Sequence, residues 1–108
     1  MAALDILGDP VRRRILELLA RGERSAGEIT EVIQREFRIS QPAVSQHLRV
    51  LRENGFATVR PEGTRRLYLM DTTPLREATE WIERNRRFWD GRFDALAEHL
   101  ARETADGS

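Results

Sequence analysis

Ile39-Ser40-Gln41-Pro42-Ala43-Val44-Ser45-Gln46-His47-Leu48-Arg49-Val50-Leu51-Arg52-Glu53-Asn54-Gly55 carries its own start and stop signals, and its reading decides the fold. Ser40 suits an N-cap, because its hydroxyl can accept an orphan backbone N–H of the first turn. Pro42 falls in that first turn, where its missing N–H costs nothing. Asn54-Gly55 is a stop, with Gly able to take the left-handed cap. Val44, Leu48 and Leu51 recur at i, i+4 and i+7 and form one apolar stripe. At about 100° per residue, Gln41, Pro42, Ser45, Gln46 and Arg49 point the other way. That face holds amides, a hydroxyl and a guanidinium, and no acid before Glu53. Such groups pair with base edges and phosphates in a major groove. The alternative is an ordinary solvated polar face.

Outward from this helix, the charge distribution is uneven. The chain has 108 residues, 18 basic and 18 acidic, and no net charge. Residues 38–66 nevertheless carry 6 arginines against 2 acids, a local +4, while residues 71–108 carry a net −3. Positive charge is thus concentrated around the helix, the footprint expected of a nucleic-acid partner. Every basic side chain except the 2 histidines is Arg. Codon usage accounts for that bias without appeal to function. The absence of cysteine excludes disulfides and thiolate metal sites. No apolar run reaches membrane-spanning length and no signal-peptide pattern opens the chain, so a cytoplasmic, nucleoid-associated protein is expected.

Upstream, residues 2–7 predict a short helix ended by Gly8. Asp9-Pro10 is a cap followed by Pro at the first helical position, opening a helix to about Ala20 with Val11, Ile15, Leu18 and Leu19 inward. Arg12, Arg13 and Arg14 stand in its first turn, where the macrodipole disfavours them. Either a phosphate backbone or simple solvation must offset that. Arg21 to Arg24 reads as a turn. Ser25-Ala26-Gly27-Glu28 is a capping box and opens a third helix with Ile29, Val32 and Ile33 inward. Gln34 to Arg38 bridges to Ser40. Two short helices and a capped, polar-faced helix make a helix-turn-helix.

After Gly55 the period changes to about two. Residues 56–60 read as a strand, Pro61 to Thr64 as a turn, and residues 65–70 as the return strand. A lone hairpin is marginal and must pack on the helices. In this position it is a wing, and Arg60, Arg65 and Arg66, flanking its tip, would reach the adjacent DNA backbone or minor groove; the alternative is charge guarding an edge strand. Thr73-Pro74 opens one long helix, residues 74–102. Its stripe is Leu75, Ala78, Ile82, Trp89, Phe93, Leu96 and Leu100, broken by Asn85, with Trp81 and Phe88 as a second apolar edge. So apolar a helix needs a partner, and the same helix of a second copy would bury it. The alternative is that its aromatics fold back on their own domain. The expected organisation is a single domain over residues 1–103 and a disordered tail over 104–108.

These residues resemble the ArsR family of bacterial winged-helix repressors over about residues 3–72. The resemblance rests on Leu7-Gly8-Asp9-Pro10-Val11-Arg12, Ile15 to Leu19, Ser40 to Leu48, Leu51 to Gly55 and Gly63 to Tyr68. It implies a mainly α fold with a small β-hairpin, a winged helix-turn-helix of order α-α-α-α-β-β-α. It also implies a homodimer joined through its first helix, with Leu4, and its last helix. The partner would be double-stranded operator DNA, touched at the bases by Gln41, Pro42, Ser45 and Gln46, with Ser40 and Arg49 beside them and Arg65 and Arg66 falling on the wing.

Two features depart from the family pattern. The third helix and its turn are about one helical turn longer, which would shift the approach angle near Gln34 to Phe37. The metal-sensor motifs are missing: only His99, beside Asp94 and Glu98, stands in the last helix, so no metal or other cofactor is expected. No nucleophile–base pair or phosphate loop suggests an enzyme. The competing readings are a winged-helix protein-interaction module and a repressor that takes an apolar small-molecule effector near Trp81 or Trp89.

Overall fold

The structure, a computed structural model, describes residues 2–106, leaving out the side chains of Ala2, Phe93 and residues 103–106. In chain order the described residues form α1 (Ala2–Leu7), α2 (Pro10–Ala20), β1 (Arg24–Ser25), α3 (Ala26–Phe37) and α4 (Gln41–Glu53). These are followed by β2 (Ala57–Glu62), β3 (Arg65–Met70), α5 (Thr73–Arg84) and α6 (Arg86–Asp106). The chain divides into two compact units, with the boundary after Arg76. Among the described residues no helix is long and apolar enough to cross a membrane.

Local signals set the helix starts. Asp9 accepts from the N–H groups of Val11 and Arg12 at 2.8 and 3.2 Å and caps α2. Ser25 Oγ accepts from Glu28 N at 3.1 Å and donates to Glu28 Oε1 at 3.0 Å, closing the capping box of α3. Ser40 Oγ accepts from Ala43 N at 3.2 Å at the head of α4. Gly55 ends the stop after α4 with φ +79°, a left-handed value that glycine adopts without a Cβ clash.

The core of the first unit is where the helical stripes meet the sheet. Ile15, Ile29, Ile33, Val44, Leu51 and Phe56 are its largest fully buried side chains. α2 and α3 pack on β3, and α4 packs on β2. Burial of Val11, Leu18, Leu19 and Leu48 follows the predicted faces, while Val32 is only half-buried.

Four local expectations need correction. Arg21 to Arg24, expected to be a plain turn, ends in β1, so the sheet has three strands in the order β1-β3-β2, all antiparallel. Two residues have no readable period, and β1 forms because β3 offers an open edge that it covers. The second correction is at the wing tip. β2 continues through Pro61 and Glu62, with Glu62 opposite Arg65, and the turn is only Gly63-Thr64. Pro61 is tolerated because β2 is an edge strand, and Gly63 supplies the positive φ, +61°, that a two-residue hairpin turn wants at its first position.

Third, Gln34 to Phe37 belongs to α3 rather than to a bridge, and the helix ends at Arg38 in the left-handed region with φ 55°. Fourth, the long last helix is interrupted. Asn85 Nδ2 donates to the Trp81 carbonyl at 2.8 Å, and Asn85 N is shared between the carbonyls of Trp81 and Ile82. A short polar side chain competing for backbone groups in this way breaks the register of the ladder. α6 then runs to Asp106, and the rest of the expected tail, residues 107–108, lies outside the described residues.

Candidate nucleic-acid interface

The candidate surface begins on α4. Val44, Leu48 and Leu51 anchor the helix in the core, which leaves Gln41, Pro42, Ser45, Gln46 and Arg49 exposed on the opposite face. Arg49 Nη2 donates to Gln46 Oε1 at 2.7 Å, and its Nε lies 3.9 Å from Glu53 Oε1. With its carbonyl oxygen occupied, the Gln46 amide keeps its N–H groups for a further acceptor. Ser40 is exposed too, but its oxygen accepts the capping N–H, so its hydroxyl hydrogen is what remains.

The wing arginines do not behave alike. Arg60 Nη2 meets both oxygens of Glu23 at 2.9 and 3.1 Å, and Arg60 Nη1 lies 3.7 Å from Glu62 Oε2. Arg65 Nη2 donates to Glu28 Oε1 at 2.7 Å. The Ser25 hydroxyl, with help from Arg65 and Arg24, holds the Glu28 carboxyl below the usual carboxylate range. Glu28 is therefore ionised opposite Arg65 at neutral pH. Arg66 is exposed and has no ion-pair partner among the described residues. Instead it lines a cleft of about 280 Å³ with Gln41, Ser45 and Arg49 of α4.

The structure thus gathers four of the predicted residues, Gln41, Ser45, Arg49 and Arg66, around one cleft. Arg52 of α4 and Tyr68 of β3 also line it, and sequence reasoning passed over both. The signal for Arg52 was its spacing, one helical turn after Arg49 and two after Ser45.

Arg12, Arg13 and Arg14, which stand against the α2 dipole, find partners inside the protein. Arg12 Nε donates to Ile6 O at 2.9 Å and Arg13 Nη1 to Leu7 O at 2.7 Å. These bonds satisfy the last carbonyls of α1, which favour cations. Arg14 makes a bidentate pair with Glu36 at 2.8 and 3.0 Å. His47 is half-buried on α4, and its Nδ1 is buried without a hydrogen-bond partner among the described residues.

The candidate dimer residues are spread over α1, α5 and α6. Leu4, Ile82, Trp89, Leu96 and Leu100 are exposed, as is Phe88. Leu75 and Trp81 are half-buried, and Ala78 is already buried within the single chain. The Phe93 side chain lies outside the described residues. Trp81 and Trp89 lie 6.4 Å apart between ring centroids, Phe88 stands edge-on to Trp89 at 5.4 Å, and Arg92 sits 4.6 Å over the Phe88 ring.

A capped, acid-poor helix presented beside an arginine-bearing hairpin, on a bundle of short helices, defines a winged-helix protein of the DNA-binding class. The match to known proteins narrows that class. Residues 9–59 match the model for bacterial regulatory proteins of the arsR family. Over 104 residues the chain is 38% identical to the HTH-type transcriptional regulator Rv2034 of Mycobacterium tuberculosis, covering 96% of this chain and 91% of that protein. Over 76 residues it is 36% identical to the transcriptional repressor SdpR of Bacillus subtilis, covering 70% of this chain and 80% of that one. A crystal structure described as a possible transcriptional regulator for arsenical resistance superposes with a TM-score of 0.71 at 33% identity, over 90% of this chain and 94% of its own. The chain belongs to the arsR family. It is a DNA-binding transcriptional regulator of the repressor type and not an enzyme.

Proposed function

We propose that this regulator acts as a homodimeric repressor of its own gene that binds an inverted-repeat operator without a metal signal. The observation that carries the reading is the exposed face of α4, where Gln41, Ser45 and Gln46 present hydrogen-bonding groups with no acid beside them. Major-groove readout needs such groups, and the wing beside them supplies backbone contacts. The exposed apolar side chains of α1, α5 and α6 support the dimer, with residues 1–103 acting as one winged-helix module. A two-fold dimer would meet half-sites whose centres are roughly 34 Å apart, or a multiple of that. Operator binding places the protein on the nucleoid.

A gel shift against the DNA upstream of the gene tests this reading. Wild-type protein should retard it in preference to random duplex. Ser45→Ala and Gln46→Ala should each narrow that preference, by about 1–3 kcal/mol where the side chain reads a base. Equal binding of operator and random duplex by wild type would sink the reading.

The expectation that operator binding ignores metal ions rests on the few strong ligands in the sequence. The chain has no cysteine and 2 histidines, one on α4 and one on α6. Among the described residues no three His, Asp or Glu side chains group so as to hold an ion. Useful coupling of about 1–3 kcal/mol requires a site that binds one arrangement of the subunits better than another. Zinc, nickel, cobalt and arsenite are therefore expected to change operator affinity by less than about threefold. Release by one of these metals, abolished in His99→Ala, would show the opposite.

A further inference from the structure

The arginines on the proposed DNA-facing side fall into two groups. Arg60 and Arg65 are neutralised by Glu23 and Glu28 at 2.9 and 2.7 Å. Arg52 and Arg66 are exposed, and neither forms a hydrogen bond or ion pair through its side chain among the described residues. Yet both line the same cleft, between the polar face of α4 and strand β3. A third guanidinium, Arg49, lines it too, partly occupied by Gln46 and Glu53. Leu48 and Tyr68, both almost fully buried, form the apolar part of its wall.

Like charges gathered around one concave site repel, and no acid is among the residues that line it. An anion entering the cleft removes that repulsion. Guanidinium groups present planar forks that match the oxygens of a phosphate. Gln41 and Ser45, on the face proposed to read bases, line the same cleft. A duplex seated on that face therefore brings its own backbone to the cleft mouth, at the step between the groove that α4 enters and the wing.

We propose that Arg52 and Arg66 together clamp one backbone phosphodiester of the bound DNA, and that Arg52 is a DNA-contacting residue of this protein. This rests on the DNA-binding reading above. Arg60 and Arg65 contribute less, for a reason of charge balance. An arginine already paired with a carboxylate must leave it to meet a phosphate, and the freed carboxylate then stands beside the DNA. The net charge brought to the phosphate is small, and so is the number of counterions released.

Salt dependence separates the two groups, because log affinity falls with log salt by about 0.9 per phosphate neutralised. Binding of random and operator duplexes is measured by fluorescence anisotropy over a salt series. Arg52→Ala and Arg66→Ala should each weaken both duplexes alike, by about tenfold at low salt, and flatten the slope by nearly one per bound subunit. Because the two share one phosphate, the double variant should lose much less than the product of the single losses. Arg65→Ala should flatten the slope by less than half as much. Glu28→Gln, which frees Arg65, should tighten both duplexes and steepen the slope.

Both arginines are exposed, so thermal melts of the variants should match wild type and exclude misfolding. Unchanged slope and affinity in Arg52→Ala, with Gln46→Ala still altering sequence choice, would overturn the clamp and leave DNA recognition standing. Failure of wild type to bind any duplex would overturn both. A rise in melting temperature with inorganic phosphate at constant ionic strength, lost in Arg52→Ala while the duplex slope is unchanged, would assign the cleft to a free anion and also overturn the proposal.

Discussion

Ile82→Asp is expected to leave each chain folded, to halve the particle mass in solution and to abolish high-affinity operator binding. Ile82 is 45% exposed in the single chain, so the change costs its own fold little. Trp89, Leu96 and Leu100, on the following helix, are 39%, 53% and 52% exposed. Monomers rarely expose so many large apolar side chains without a use for them. If a second copy covers them, the substituted side chain would carry an unpaired carboxylate into that contact, at a cost of about 3–5 kcal/mol per buried charge. Operator affinity falls further than this local cost suggests, because two half-sites held by one dimer gain from effective concentration and two monomers do not. Light scattering should report about twice 12.5 kDa for wild type and one chain mass for the variant, with unchanged helical circular dichroism. A variant that remains dimeric would place the interface elsewhere, and a monomeric wild type would remove the dimer altogether.

Leu51→Ala is expected to be the most destabilising single truncation on α4. Leu51 is completely buried and closes the stripe that begins at Val44. Removing a buried leucine side chain costs about 2–5 kcal/mol, from lost transfer energy and the cavity left behind. Against a typical total of about 5–15 kcal/mol, that is a large share. Urea melts should show a lower midpoint with an unchanged slope. Ser45→Ala is the counterpart on the other face of the same helix. Ser45 is exposed, so its loss should move stability by no more than about 0.5 kcal/mol while altering sequence choice. If Ser45→Ala proved as destabilising as Leu51→Ala, the division of α4 into an anchoring face and a reading face would be wrong.

Which face of α4 is buried and which is exposed was legible from the residues alone. Ser40, Pro42 and Gly55 punctuate α4, and the spacing of Val44, Leu48 and Leu51 sets its faces, because caps and helical period depend on neighbours within a turn or so. The same holds for Asp9 before α2, the Ser25–Glu28 box of α3 and the change of period after Gly55. What depends on partners far along the chain was not legible. β1 exists only because Arg24 and Ser25 come opposite Tyr68 and Leu67. Docked there, Glu23 and Glu28 meet Arg60 and Arg65, each 37 residues away, and neutralise them. Arg66, next to Arg65, alternates to the other face of β3, as successive strand residues must, and reaches the cleft that Arg52 also lines. In sequence these arginines are equivalent charges around one helix and one hairpin. Which are spent on the fold and which remain for a partner is decided by strand register, a property of the paired sheet and not of any one segment.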